Sequence, residues 1–127
     1  MSDWTWVRRE RVRWRDCDAM GHVNNAVYST FLEEARIEAL GGLAEFILAR
    51  VEIDFRSELH AAEEIEVRTR CSRIGTKSLD LEHEIHANGR LAAQAKSVLV
   101  GYDYELGTSV ELSDEIRERV SGTRASA

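Results

Sequence analysis

Between Arg15 and Asn25 the chain gathers two aspartates, a cysteine, a glycine, a histidine and two asparagines into "RDCDAMGHVNN". Three kinds of chemistry fit such a cluster. Asp16, Asp18 and His22 together could ligate a divalent ion, since two carboxylates and an imidazole are a sufficient donor set. No second histidine or cysteine stands at a familiar ligand spacing, however. His60, His83 and His86 lie far along the chain, so no metal is expected. Cys17 could be a nucleophile at a helix start. It precedes the helix by about eight residues, and it reads as a small packing residue between two acids.

The third possibility pairs a carboxylate with a helix N-terminus. Unpaired N–H groups and the positive dipole end collect there. Such a group can polarise a carbonyl as an oxyanion donor. A carboxylate a few residues upstream can then attack that carbonyl or activate water. This arrangement suits acyl transfer or hydrolysis, with Gly21 letting the backbone bend closely around a ligand. The plain alternative is a turn: Asp, Gly and Asn are turn formers, with Asp18 as turn acceptor and Asn24 or Asn25 as helix cap. The residues alone leave these two open.

The elements that would position the cluster follow from periodicity. Residues 6–14 alternate loosely and carry Trp and Val, which favour a first strand. Apolar residues at Tyr28, Phe31, Leu32, Ala35, Ala39 and Leu40 form one stripe, predicting a helix over about 26–40. Gly41-Gly42 ends it. The period then becomes two through Val51–Phe55, Ile65–Cys71 and Leu79–Ile85, as in half-buried antiparallel strands. Gly75 marks one connection and Asn88-Gly89 a hairpin. A last strand, Leu91–Tyr102, has small residues on both faces and is expected to be covered on both. About 105–127 is a polar tail, with a short helix suggested by Ser113 and Glu115-Ile116 and a frayed end in "SGTRASA". The expected class is α+β: one long helix wrapped by a curled antiparallel sheet of about five strands. The whole chain, 1–127, is expected to be one domain.

Composition narrows the partners. A net charge of -6 argues against nucleic acid. No apolar run approaches the roughly 20 residues that span a bilayer. Two cysteines make no disulfide framework, and the N-terminal stretch has no apolar targeting segment. The expectation is a cytoplasmic protein without membrane contact.

The run "DCDAMGHVNNAVY", followed by "LEEAR", closely resembles the 4-hydroxybenzoyl-CoA thioesterase-like branch of the hotdog-fold acyl-CoA thioesterases. The resemblance covers most of the chain. It implies an acyl-CoA thioesterase acting on CoA or acyl-carrier-protein thioesters, with no cofactor beyond the CoA of the substrate. It makes Asp18 the catalytic carboxylate, as nucleophile or general base, and puts the oxyanion-donating N–H at Asn25. His22 would orient substrate or water, with Gly21 and Tyr28 lining the site. Glu33 and Arg36 match a helix E-x-x-R pair: Glu33 is an implied substrate contact, whereas Arg36 reads as half of a solvated or interface ion pair. Arg73, Thr76, Lys77 and Ser78 in "SRIGTKS", together with Arg90, are the implied CoA-phosphate contacts. The resemblance also implies a homodimer or homotetramer with its site at the subunit interface. Two alternatives stay open. One is a hotdog enoyl-CoA hydratase or dehydratase using Asp18 and His22, ranked second because its loop carries prolines and this chain has none. The other is a non-catalytic acyl-CoA-binding protein.

Overall fold

The computed structural model describes residues 4–121; the end of the polar tail, 122–127, lies outside them. The order is β1 (Trp6–Arg11), a single 3-10 turn (Trp14–Asp16), α1 (Asn25–Leu40), β2 (Phe46–Phe55), β3 (Glu64–Ile74), β4 (Ser78–Ala87), β5 (Arg90–Asp103), β6 (Thr108–Ser109) and α2 (Asp114–Ser121). The strands form one antiparallel sheet in the order β1-β3-β4-β5-β2, with the short β6 on β5. α1 lies across this sheet, and its buried stripe comprises Tyr28, Phe31, Leu32, Ala35, Ala39 and Leu40, together with Arg36. This is the hotdog arrangement of helix and sheet, with α2 added.

α1 forms where the stripe predicts it because both ends are closed chemically. Asn24 is the cap: its side chain accepts from the Ala26 N–H. Gly41 takes the left-handed conformation at φ 78° and returns its N–H to Ile37. Arg119 of α2 donates to the last carbonyls of α1, Ala39 at 2.8 Å and Glu38 at 3.0 Å. A cation at that end also suits the helix dipole.

The inward-facing residues alternate as the period of two requires: Ile65, Val67 and Thr69 on β3, Leu79, Leu81, His83, Ile85 and Ala87 on β4, Ala93, Ser97 and Leu99 on β5. They build two apolar clusters, one around Leu32, Leu59, Val67 and Ile85, the other around Ala39, Phe46, Leu79 and Leu99. A polar seam lies in the same interior. The His83 ring bridges Thr69 Oγ1 and Ser97 Oγ, both at 3.0 Å, and Arg36 Nη1 donates to Ser97 Oγ at 3.2 Å. Burial, with the nearby Arg36 charge, pushes the His83 pKa down to about 3, so the ring is neutral at pH 7.

Four expectations change. The first strand ends at Arg11 rather than 14, because the Asp16 carboxylate takes the Arg13 N–H at 2.8 Å and turns the chain. Arg36 is no solvated partner of Glu33; it is 5% exposed and enters the seam, with its Nε lacking a hydrogen-bond partner. β2 is not half-buried: it is the free edge beyond β5, and Ile47, Leu48, Val51 and Phe55 are exposed. β5 is buried on its inner face, whereas its outer Lys96 is exposed and pairs with Asp80.

Candidate active site

The cluster Asp16–Asn25 folds as a small hairpin pinned at its base. Asp16 is 3% exposed and holds Arg13 through both backbone and guanidinium. Burial pushes its pKa up, but the Arg13 bonds and charge outweigh this and leave it lowered. Its carbonyl accepts from Asn24 N–H at 3.0 Å, and Cys17 pairs with Val23 as an antiparallel bridge. At the tip, Asp18 N–H donates to the His22 carbonyl, and Gly21 N–H donates to the Asp18 carbonyl. Gly21 sits at φ 84°, where a side chain would be strained.

Asp18 is exposed, and its own loop orients its carboxylate. Oδ1 accepts from the Met20 N–H at 2.9 Å and from the His22 N–H at 3.3 Å. The plain turn role is therefore real, yet it occupies one oxygen only. Two residues past the hairpin the helix begins. Asn24 satisfies the Ala26 N–H with its side chain and the Val27 N–H with its carbonyl. The Asn25 N–H has no such partner among the described residues and is a free donor at the positive end of α1.

The His22 ring turns away from Asp18. Its Nε2 lies 2.7 Å from Glu58 Oε2, and its ring meets that of His60 edge to face at 5.3 Å. Backbone pairing brings them together: His22 bridges His60, and Val23 N–H donates to the Leu59 carbonyl at 2.9 Å. Behind them Glu63 accepts from the His60 N–H, the Asn88 amide and two Arg90 nitrogens. Those Arg90 bonds, opposed by burial, hold the Glu63 pKa down at about 2. Arg90 also donates to the Glu58 carbonyl at 2.7 Å. Tyr28 is buried, 4.9 Å from the Phe55 ring; burial raises its pKa, and Arg90, Glu58 and Glu63 act on it electrostatically. Glu33 faces solvent on α1. Sequence reasoning missed Glu58, His60 and Glu63, because the bridge that joins them to His22 leaves no short-range spacing.

The turn with Arg73, Thr76, Lys77 and Ser78 lies at the other end of the molecule. Gly101 N–H donates to the Lys77 carbonyl and Gly101 pairs with Phe46, beside the C-terminus of α1. A helix of 16 residues separates the ends by about 24 Å. Arg73 donates to Ser78 Oγ at 2.7 Å and Asp80 Oδ1 at 2.9 Å, and Thr76 and Lys77 are exposed. One chain thus brings together Asp18, Gly21, His22, Asn25, Tyr28 and Arg90, but not the 73–78 turn.

Comparison with known proteins agrees with this architecture. A family profile described as thioesterase-like superfamily matches residues 12–120. The long-chain acyl-CoA thioesterase FadM of Escherichia coli is 26% identical over 122 residues, covering 87% of this chain and 92% of its own. The uncharacterized protein YsmA of Bacillus subtilis is 26% identical over 133 residues, covering 97% and 90%. A thioesterase of Thermus thermophilus, solved in complex with coenzyme A and zinc, superposes with a TM-score of 0.89 at 34% identity over 98% of each chain. With the profile spanning most of its length and a full-length structural likeness beside it, this chain belongs to the thioesterase-like superfamily.

Proposed function

We propose that the protein hydrolyses an acyl-CoA thioester to the free acid and CoA. The observation that carries this reading is the unpaired Asn25 N–H at the head of α1, following directly on the hairpin that presents Asp18. The N–H stabilises the oxyanion as the thioester carbonyl is attacked. Asp18, with Oδ1 held by two backbone donors, attacks the carbonyl through its other oxygen or takes the proton of a water that does so. CoA as the carrier is supported by FadM and by the coenzyme A complex of the Thermus relative. Tyr28 and Phe55 offer apolar lining for the acyl group.

The second half of the site comes from a second copy. The exposed β2 edge carries Ile47, Leu48, Val51 and Phe55, and its free backbone groups suit pairing with a second β2. In an antiparallel pairing about a two-fold axis, the Phe46 end of one chain meets the Phe55 end of the other. That brings Arg73, Thr76, Lys77 and Ser78 of the second copy toward Asp18 of the first, where the CoA phosphates can meet them. Arg90, held by Glu63 and the Glu58 carbonyl, then acts chiefly by fixing the 58–63 turn. The hydratase alternative needs Asp18 and the His22 ring to work as a pair. That ring lies against Glu58 instead, with Nε2 2.7 Å from Oε2, and the contact of Asp18 with His22 is to its backbone N–H.

Thiol release from short, long and aromatic acyl-CoAs tests the proposal. Wild type turns over at least one of them, and Asp18→Asn loses about 10²–10⁴-fold, the usual contribution of a positioned acid–base group. Equal rates for the two proteins would remove Asp18 from the chemistry.

A further inference from the structure

We propose that His22, Glu58 and His60 form a binding site for one divalent transition-metal ion of the zinc class. One ring nitrogen from each histidine and one Glu58 oxygen lie within 4.8 Å of one another. Around a zinc ion with bonds of about 2.0–2.2 Å, ligand atoms stand roughly 3.3–3.6 Å apart. His22 Nε2 and Glu58 Oε2, at 2.7 Å, would open slightly, and His60 would close. All three side chains are partly exposed, so rotation about their own bonds suffices.

The backbone brings these ligands together from segments far apart in sequence. The antiparallel bridge between His22 and His60 sets their side chains side by side. Glu58 sits two residues before His60, on the segment anchored by Val23 N–H to the Leu59 carbonyl and by Arg90 to the Glu58 carbonyl. Metal-bound histidines usually have the second ring nitrogen oriented by a carboxylate. A carboxylate stands beside His60 for this role: Nδ1 lies 3.5 Å from Glu63 Oε1, a gap that a small ring rotation would close to a hydrogen bond, leaving Nε2 for an ion. Glu63 is itself fixed by Arg90 and Asn88. Two imidazoles and one carboxylate favour zinc, cobalt or nickel over magnesium or calcium, which prefer all-oxygen ligands. Three protein ligands leave a fourth position open to water or to a ligand. A bound ion would also clamp the 17–23 hairpin onto the 58–60 segment.

The test uses the untagged, chelator-stripped full chain titrated with Co²⁺, whose visible bands are intense in four- and five-coordinate sites. Wild type is expected to bind one Co²⁺ per chain with such bands, which Zn²⁺ abolishes and Mg²⁺ does not. Glu58→Gln and His60→Ala are each expected to weaken binding by more than the roughly 10–100-fold that loss of a supporting contact produces. His86→Ala, at a histidine paired elsewhere with Glu84, is expected to bind as wild type. Both test positions are about half exposed, Glu58 at 56% and His60 at 51%, so neither change empties the core. Three results each overturn the proposal: no such bands at millimolar Co²⁺, wild-type binding by either Glu58→Gln or His60→Ala, or loss of binding in His86→Ala. None of these readouts depends on thioester turnover, so the metal site and the hydrolase reading stand or fall separately.

Discussion

Replacing Glu63 by glutamine should destabilise the protein in a way that fades on acidification. Glu63 is 13% exposed and its partner Arg90 34%. The Arg90 bonds, against opposing burial and with the His60 N–H and the Asn88 amide, lower the carboxyl from 4.5 to about 2. At about 1.4 kcal/mol per tenfold change in proton affinity, that sets an upper limit of about 3 kcal/mol. Solvent reaches Arg90, and glutamine keeps one acceptor for His60 or Asn88, so screening brings the expected loss to about 1–2 kcal/mol. The corresponding fall in Tm is about 4–8 °C. The fold prefers the ionised carboxylate, so the stabilisation is whole above pH 4.5 and is lost as the pH falls from there toward 2. Urea unfolding of wild type and Glu63→Gln, at one fixed protein concentration, measures the difference at pH 7 and again near pH 3. More than half of it should be gone at the lower pH. A difference that stays constant over that range, or one below about 0.5 kcal/mol at pH 7, would refute the account of Glu63 as an ion-paired anchor of the 58–63 turn.

Asn24→Ala should cost about 1 kcal/mol in urea unfolding, because the Ala26 N–H loses its cap. It should also slow thioester turnover by shifting the first turn of α1. His83, with its pKa near 3 against 6.5 when unfolded, should make stability fall by about 1 kcal/mol per pH unit below 6.5; a His83→Gln variant should flatten that dependence. Arg36→Met should leave unfolding stability unchanged or raise it, since it removes a buried guanidinium that hydrogen-bonds a neutral hydroxyl; a loss above about 2 kcal/mol by calorimetry would contradict this. Val51→Lys, on the exposed β2 edge, should yield a monomer with little turnover in sedimentation and thiol-release assays.

Local order was legible in the sequence, and long-range juxtaposition was not. The stripe from Tyr28 to Leu40 and the glycines after it located α1, because packing on one face and capping at both ends are encoded within a few residues. The alternation in β3 and β4 did the same for the strands. β2 also alternates, so it reads as half-buried; its place at the sheet edge depends on which strand fails to find a neighbour, which its own residues do not state. Arg36 stands three residues from Glu33 and reads as a surface pair, until the helix orientation turns it inward. Within the candidate site, Asp18, Gly21 and Asn25 belong to one contiguous hairpin and helix start, and their proximity could be read directly. Glu58 and His60 reach His22 only through a backbone bridge between distant segments, and no spacing rule reports such a bridge.

The seam of Thr69, His83, Ser97 and Arg36 has a consequence for how α1 is seated. Leucine and alanine faces are nearly interchangeable, and a helix lying on them could slip along the sheet by one turn, about 5.4 Å, with modest loss of contact. Here such a slip would carry the guanidinium away from the Ser97 hydroxyl and into the Leu79–Leu99 or Leu32–Val67 cluster, where no acceptor of the seam could follow it. The seam therefore acts as an alignment pin that admits one axial setting of the helix. That setting also fixes where the Asn25 N–H stands relative to the hairpin bearing Asp18.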